Sequence, residues 1–436
     1  MNINSRVDNY TEDMVSSLQE LIAIRSVEGE AKPGMPFGEG PAKALDYTLG
    51  LCRHLGFETG TMDGYVGWCQ YGEGEELVCV LTHLDIVPEG DGWTHEPLGG
   101  EIDGGNIYGR GTLDNKGPAI ASIYALKALA DSGEKLNRRI RIIFGLNEET
   151  GCECVEHYVN NGGELPKYAF TPDGEYPIIN GEKGIYHGTF TRPLALSDKA
   201  ILYMKAGTAP NVVPATATCT LNFSHEGHSM VTALGKSAHA STPEEGENAI
   251  YKLFELLAAM PLDGDSKELA DFISHRLGTD NYGLSLGINC HDSISGEITV
   301  SCGLMSIELG QVSLTLDIRC PVTIELDTVL PKLREAMAQG GFTEKEFSTS
   351  KSIYTPPESE LIKALQRVYE RETGTEATLL CIGGGTYAKS MPNCVAFGPI
   401  FPGDPMLDHQ PDEFISIENL VKNAKIFAQA MLELAK

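Results

Sequence analysis

The stretch Glu76–Pro88, ELVCVLTHLDIVP, predicts both a fold class and a candidate site. Every residue of Leu77–Leu81 is apolar, which is typical of a strand covered on both faces, as in a parallel sheet. The run ends at His83 and Asp85, and side chains two residues apart on a strand point to the same side. In open α/β sheets, ligands bind at the carboxyl ends of strands. These two residues are therefore site candidates, although an ordinary polar loop would give the same pattern.

The flanking sequence predicts the architecture. Stretches with helical or strand-like spacing alternate through the first 185 residues, as expected for βαβ units. From about Tyr186 the segments 216–223, 296–310 and 312–321 alternate apolar and polar residues, which indicates antiparallel strands. We therefore predict an α/β protein. A doubly wound domain with a mostly parallel sheet would comprise residues 1–185 and 355–436, and an inserted α+β domain with an antiparallel sheet would comprise 186–354.

Composition and charge argue against some classes of partner and location. The chain has 436 residues and a net charge of −28, which disfavours nucleic acid as a partner. No apolar stretch is long enough to cross a bilayer, and the first residues lack the pattern of a signal peptide. Its 11 cysteines are scattered, as is typical of reduced thiols. We expect a cytoplasmic protein without a membrane partner.

Other predicted strand ends carry further potential ligands. They present Asp114, Glu148, Glu149, Asp173 and, far downstream, His409. With His83 and Asp85 this makes five carboxylates and two imidazoles, and the carboxylates could not all stay ionised in one cleft without bound cations. Two divalent ions suit this set. The mixture of imidazole and carboxylate favours zinc, with manganese or cobalt as alternatives.

A linked series of motifs carries a family resemblance. The strings are THLDIVPEGDGW, GRGTLDNKGP, EETGC, TPDGEYP, GEKG, GGGTYA and DHQPDE. Together they resemble the dinuclear-zinc dipeptidases of the PepV type, which belong with carnosinases, aminoacylases and glutamate-type carboxypeptidases in one metallopeptidase family. The resemblance implies that the two-part domain is catalytic and that the inserted domain is its lid.

The resemblance also implies metal ligands. Asp114 would bridge two metal ions, His83 and Asp173 would complete the ligands of one, and Glu149 and His409 would complete those of the other. It further implies a cis peptide bond between Asp114 and the residue that follows it.

Three residues have catalytic roles by the same resemblance. Glu148 would be the general base, and Asp85 would hydrogen-bond to the ring of His83 and raise its basicity. His239, in GKSAHASTPEEGENA, would donate a hydrogen bond to the oxyanion of the tetrahedral intermediate. Composition alone would make His239 an ordinary surface histidine.

Substrate contacts are implied at three further places. Arg319 in LDIRCP would bind the substrate carboxylate through its guanidinium fork, and Asn211 would fix the substrate backbone. The glycine-rich loop would bring backbone N–H groups close to that carboxylate at Gly384, Gly385 and Thr386. The sequence departs from the PepV pattern at Lys389, where arginine is usual, and lysine lacks the planar fork.

The predicted activity is hydrolysis of dipeptides with free amino and carboxyl termini, by a water that two metals and Glu148 activate. The first alternative is hydrolysis of N-acyl-amino acids at the same metal centre. The second is a catalytically silent relative that binds peptides, whose signature would be loss of the base. The partner would be a short peptide, and a monomer is favoured over a homodimer.

Overall fold

The computed structural model describes residues 2–223, 227–278 and 280–436, and it divides the chain into two compact units. The first runs to Asn180 and resumes over Thr355–Leu380 and Thr386–Lys436. The second comprises Gly181–Tyr354 and Cys381–Gly385. The proposed functional division at 185/186 and 354/355 stays a prediction.

The helices are α1 Ile3–Asn9, α2 Thr11–Ile22, α3 Glu39–His54, α4 Lys116–Ser132, α5 Glu153–Asn160, α6 Ala249–Ala259, α7 Gly264–Phe272, α8 Leu326–Gln339, α9 Glu360–Thr373 and α10 Ile417–Ala435. The strands are β1 Glu58–Met62, β2 Val66–Tyr71, β3 Leu77–His83, β4 Glu101–Asp103, β5 Asn106–Tyr108, β6 Arg139–Gly145, β7 Tyr168–Thr171, β8 Gly174–Glu175, β9 Ile178–Glu182, β10 Gly184–Pro193, β11 Lys199–Ala206, β12 Thr216–Phe223, β13 Gly227–Leu234, β14 His291–Asp292, β15 Gly296–Glu297, β16 Thr299–Glu308, β17 Gln311–Cys320, β18 Thr343–Ser350, β19 Ile353–Tyr354, β20 Leu379–Ile382, β21 Cys394–Ala396, β22 Pro399–Ile400 and β23 Phe414–Ser416.

The main sheet of the first unit has a parallel centre. Strands β6, β3, β7 and β21 lie side by side in that order and run parallel. Strands β2 and β1 extend the sheet beyond β6 with antiparallel pairing, and β9 pairs antiparallel with β21. All seven residues of β3 are buried, as predicted from its unbroken apolar run. The chain leaves the sheet after His83, so Asp85 lies just beyond the carboxyl-terminal end of β3.

The register of the parallel strands brings their ends together. His83 of β3 lies opposite Gly145 of β6, and Val80 lies opposite Phe170 of β7. The N–H of Leu84 donates to the Gly145 carbonyl at 3.0 Å, so the two chains stay adjacent beyond the last strand residues. The loops that follow β3, β6 and β7 consequently start from one short stretch of sheet edge.

Helices cover both faces of this sheet. A side chain at Gly67 of β2 would collide with Leu45 of α3, whereas the neighbouring Trp68 packs edge-on against Tyr158 of α5. Because successive strand residues face opposite sides, α3 and α5 lie on opposite faces. Tyr71 donates to a backbone carbonyl of α4, which places α4 on the α3 face. The doubly wound prediction is confirmed.

The second unit contains an antiparallel sheet with the order β13-β12-β11-β16-β17-β10-β18. Helices α6, α7 and α8 pack with these strands around one apolar core. The core includes Phe190 of β10, Leu253 of α6 and Leu333 of α8. The predicted antiparallel α+β module is confirmed as a fold. Within the described residues, the structure has no helix with both the length and the apolar character that a bilayer crossing requires.

Candidate metal centre

All the predicted metal ligands and the predicted base lie in the first unit. They sit on four separate loops, in addition to the end of β3, and come together although they are far apart in the sequence. The six residues are His83, Asp114, Glu148, Glu149, Asp173 and His409. The loops after β6 and β7 supply three of them because the parallel register aligns those strand ends with the end of β3.

Asp114 lies at the middle of the group. Its Oδ1 is 2.8 Å from Nε2 of His83, and its Oδ2 is 3.1 Å from Nε2 of His409. Nε2 of His83 is also 3.7 Å from Oδ1 of Asp173, and Nε2 of His409 is 3.0 Å from Oε2 of Glu149. The carboxylate of Asp114 thus joins two subsites, each made of one imidazole and one further carboxylate.

Burial and crowding set the protonation of these groups. Burial raises the pKa of Glu149 to about 7 and that of Glu148 well above its usual range, and neighbouring carboxylates add to both effects. Hydrogen bonds to Asp114 and Glu149 raise the pKa of His409 to about 11. The carboxylates therefore give this site an excess of negative charge. Each imidazole lies where either its own protonation or a bound cation would offset that charge.

The residues fit divalent cations. Two groups of potential ligand atoms each lie within 4.8 Å of one another, His83 with Asp114 and Glu149, and His83 with Glu148 and Asp173. Among the described residues, Oε1 of Glu149 is buried without a hydrogen-bond partner, which is costly unless a cation contacts it. Imidazole nitrogens and carboxylate oxygens are the ligands that zinc prefers at catalytic sites.

Asp85 contacts both His83 and the loop that carries the two glutamates. Its backbone carbonyl lies 3.0 Å from Nδ1 of His83, closer than its carboxylate at 3.4 Å. The carboxylate accepts the backbone N–H groups of Glu148 and Glu149 at 3.2 and 3.1 Å. The hydrogen-bond contact to the imidazole is thus made by the backbone carbonyl of Asp85, whereas the prediction placed the carboxylate there, and the role of Asp85 stays a prediction. The carboxylate in addition positions the predicted base, which the sequence did not indicate.

The loop that carries Asp114 is held next to Asp173. The peptide bond between Asp114 and Asn115 is cis, as the resemblance implied. The side-chain amide of Asn115 donates to the carbonyl of Pro172 at 2.6 Å and to Oδ1 of Asp173 at 3.2 Å. Asn115 therefore fixes the spacing between two predicted ligands.

Glu413 contacts the candidate site and is not among the residues predicted from the sequence. Its buried carboxylate pairs with Arg110 at 2.8 Å and accepts the backbone N–H groups of Gly111, Leu113 and Asp114 at 2.8–3.1 Å. It thus holds the loop that carries the predicted bridging ligand. The signal available in the sequence was an acidic residue inside the motif DHQPDE, four positions after His409.

The second unit contains the predicted oxyanion donor and substrate arginine. His239 is exposed, and the carbonyl of Asn211 accepts the N–H of Ala240 at 2.9 Å, so Asn211 lies beside the histidine. Arg319 is buried and makes a two-point contact with the carboxylate of Asp317 at 2.7 and 2.6 Å. The functional roles of these residues stay predictions.

The glycine-rich loop falls partly in each unit. Gly384 and Gly385 belong to the second unit, and Thr386 begins a segment of the first. The hydroxyl of Thr386 accepts the N–H of Ala388 at 3.1 Å and caps the short 3₁₀-helix that follows. In that helix, the buried ring of Tyr387 stands perpendicular to the ring of His83, with centroids 6.2 Å apart. This segment therefore also contacts the ring of a predicted metal ligand.

Comparisons with known proteins agree with this geometry. The sequence pattern of peptidase family M20/M25/M40 matches residues 79–433. The chain is 38% identical to YtjP of Bacillus subtilis (strain 168) over the full length of both chains. It is 31% identical to the Beta-Ala-Xaa dipeptidase of Lactobacillus delbrueckii subsp. lactis, covering 100% of this chain and 99% of that one. Human carnosine dipeptidase 1 has the same fold, with a TM-score of 0.63 and 18% identity, over 99% of this chain and 98% of that one.

Proposed function

Because the chain belongs to peptidase family M20/M25/M40, we propose that it is a metal-dependent dipeptidase acting on dipeptides with free amino and carboxyl termini. The observation that carries this proposal is the position of Asp114. Its two carboxylate oxygens face two different histidines, His83 and His409, at 2.8 and 3.1 Å. A shared carboxylate between two imidazole subsites is the arrangement that a two-metal hydrolase needs.

The ligand set of the proposed centre has five residues. Asp114 would bridge the two ions, with His83 and Asp173 at one and Glu149 and His409 at the other. When bound, two divalent ions lower the pKa of a water molecule and polarise the scissile carbonyl. We propose zinc because each subsite combines imidazole with carboxylate, and manganese and cobalt are the alternatives that metal analysis would distinguish.

Glu148 is the proposed base. Burial raises its pKa well above the usual range, so this carboxylate holds a proton more strongly than a solvated one. It would take a proton from the attacking water and pass it to the leaving amine. Asp85 supports this role by holding the backbone of Glu148 through a hydrogen bond of 3.2 Å.

The second unit would supply the remaining contacts. In the proposal, His239 donates a hydrogen bond to the oxyanion and Arg319 binds the C-terminal carboxylate of the substrate. Asn211 and the backbone of Gly384, Gly385 and Thr386 would complete the substrate site. The fixed orientation of the Arg319 side chain against Asp317 supports a role in recognising a planar carboxylate.

Two alternatives are less well supported. The named activity of the Lactobacillus relative is that of a dipeptidase, which favours peptides over N-acyl-amino acids. A silent relative would lack the base, whereas Glu148 is present beside the ligand set. We also propose a monomeric, cytoplasmic enzyme. All eleven cysteines are free thiols, which suits a reducing compartment.

The test is an assay of the metal-analysed protein on dipeptides, including β-alanyl dipeptides, beside their N-acetyl-amino-acid counterparts, with and without a chelator. We expect cleavage of the dipeptides alone, abolished by the chelator. Glu148→Gln should lower kcat by about 100-fold or more because the base is lost. Glu156→Gln changes an exposed glutamate of α5 and is the matched control. Cleavage of only the acylated compounds would overturn the substrate assignment.

A further inference from the structure

We propose that Ser241 is a positioning residue that holds His239 with its ring proton on Nε2, ready to donate from that nitrogen. The hydroxyl of Ser241 lies 2.6 Å from Nδ1 of His239, and the backbone N–H of Ser241 donates to the same nitrogen at 3.2 Å. A backbone N–H can only donate, so Nδ1 is an acceptor and carries no proton. A neutral imidazole in that state has its proton on Nε2.

The backbone around His239 is fixed by its neighbours in the same unit. The carbonyl of His239 accepts the N–H of Thr242 at 3.1 Å, and the N–H of Ala240 donates to Asn211 at 2.9 Å. These bonds form a tight turn in which residues 239 and 241 are brought together. The turn therefore holds Ser241 close to the imidazole, and the serine hydroxyl then makes the short contact with Nδ1.

The glycine-rich loop packs directly against Ser241. A Cβ atom at Gly383 would lie 2.5 Å from Cβ of Ser241, a distance that real side chains do not adopt. Glycine at this position lets the loop approach the serine and limits where the serine can move. The carbonyl of Gly383 in turn accepts a hydrogen bond from Arg319 at 2.8 Å.

These contacts join the two predicted substrate groups of this unit. Arg319 uses Nε and Nη2 on the buried carboxylate of Asp317 and Nη1 on Gly383, which leaves one N–H on each terminal nitrogen for a ligand. Gly383 then packs on Ser241, which holds His239. A carboxylate-binding group and an oxyanion donor are thus held by one set of contacts. This inference rests on the proposed function, in which His239 stabilises the oxyanion.

Nuclear magnetic resonance of protein labelled with ¹⁵N-histidine tests the tautomer directly, with His239→Ala to assign the resonance. We expect the neutral His239 ring to carry its proton on Nε2 in the native protein. Ser241→Ala keeps the backbone N–H at 3.2 Å but loses the hydroxyl, which makes the shorter contact of 2.6 Å, so in this variant we expect a measurable minor population with the proton on Nδ1. This readout does not require substrate, so it remains decisive if the protein cleaves no dipeptide. A native His239 protonated on Nδ1 would overturn the inference.

Kinetics on dipeptides give the second readout. Loss of one hydrogen bond to the donor should lower kcat by about 10-fold in Ser241→Ala, with a change in KM below about twofold. Ser241→Thr keeps the hydroxyl and should recover most of that loss. Ser237→Ala, an exposed serine of the same segment, is the matched control. A Ser241→Ala enzyme with native kcat would also overturn the inference, whereas inactivity of the native protein would count against the proposed function instead.

Discussion

Glu413 accepts the backbone N–H of Asp114 at 3.1 Å, although the two residues lie 299 positions apart in the chain. The same carboxylate is fully buried and pairs with Arg110 at 2.8 Å. The loop of the predicted bridging ligand is therefore held through its backbone by an acidic residue outside the predicted ligand set. This relationship makes the position of the Asp114 carboxylate depend on a residue that follows His409.

Glu413→Ala should weaken both folding and metal binding. It leaves three backbone N–H groups without their acceptor and the buried guanidinium of Arg110 without its carboxylate partner, so the free energy of unfolding should fall by about 3–5 kcal/mol. Metal affinity should fall by about 10–100-fold, as is typical for loss of a group that supports a ligand. Urea unfolding of the metal-free protein and calorimetric metal titration measure the two effects.

The controls for this prediction separate folding from metal binding. Glu413→Gln keeps an acceptor oxygen and should fold more stably than the alanine variant while still binding metal more weakly than the native protein. Glu101→Gln alters an exposed glutamate of β4 and should leave both quantities unchanged. Native metal affinity in both variants of Glu413 would show that it supports the fold alone.

Asp85→Asn should lower kcat by about 10–100-fold with little change in KM. The two carboxylate oxygens each accept one N–H, from Glu148 and from Glu149, and an amide must turn its NH₂ group towards one of them. That contact is repulsive and displaces the proposed base. Steady-state kinetics on dipeptides measure the loss, and Asp91→Asn, an exposed aspartate further along the same loop, is the control. Native kcat in Asp85→Asn would exclude this role.

Much of the fold could be predicted because its signals are local. The buried run Leu77–Leu81 indicated a covered strand, and the alternating segment Thr216–Phe223 is strand β12. The sequence pattern predicts no helix at Ile3–Asn9, which has only seven residues and two buried positions, too few to show a period. Sequence periodicity therefore identifies elements that bury a continuous face and misses short helices such as α1.

The site was predictable only where a residue type reveals its chemistry. His83 and Asp114 stood in a recognisable motif, and the structure brings their side chains together. Glu413 was missed because its carboxylate binds backbone N–H groups, and these leave no mark in the sequence of the partner segment. Ser241 was missed for a similar reason, since its contact with a histidine two residues away depends on the geometry of one turn.

The carboxylate of Asp292 should stabilise the second unit at neutral pH and lose this effect at strongly acidic pH. Its carboxylate accepts N–H groups of Ser295 and Thr323 and both of their hydroxyls, and these bonds outweigh burial and lower its pKa to about 2. Because the folded pKa lies below the unfolded value of about 3.9, the stabilisation is complete above that value and disappears as the pH falls towards about 2. Because Asp292 is partly exposed and solvent screens its charge, Asp292→Asn should lower the free energy of unfolding at neutral pH by only about 0.5–1 kcal/mol.

Urea unfolding of native protein and Asp292→Asn at pH 6 and pH 3 tests this dependence. The difference between them should be smaller at pH 3, because the native carboxylate has begun to lose its advantage there. Asp198→Asn changes an exposed aspartate of the same unit and serves as the control. A difference that is the same at both pH values would mean that the charge of Asp292 is unimportant.

Arg319→Lys should impair recognition of the substrate carboxylate. Lysine cannot contact Asp317 at two points and also reach the carbonyl of Gly383, so its charge would no longer be held in one place. We expect kcat/KM for a dipeptide to fall by about 10-fold or more, mainly through KM. The same dipeptide with an amidated C-terminus has no carboxylate to lose, so its kcat/KM should change little. Arg334→Lys, in α8, is the matched control. Equal losses on the two substrates would mean that Arg319 supports the fold of this unit and does not bind the carboxylate.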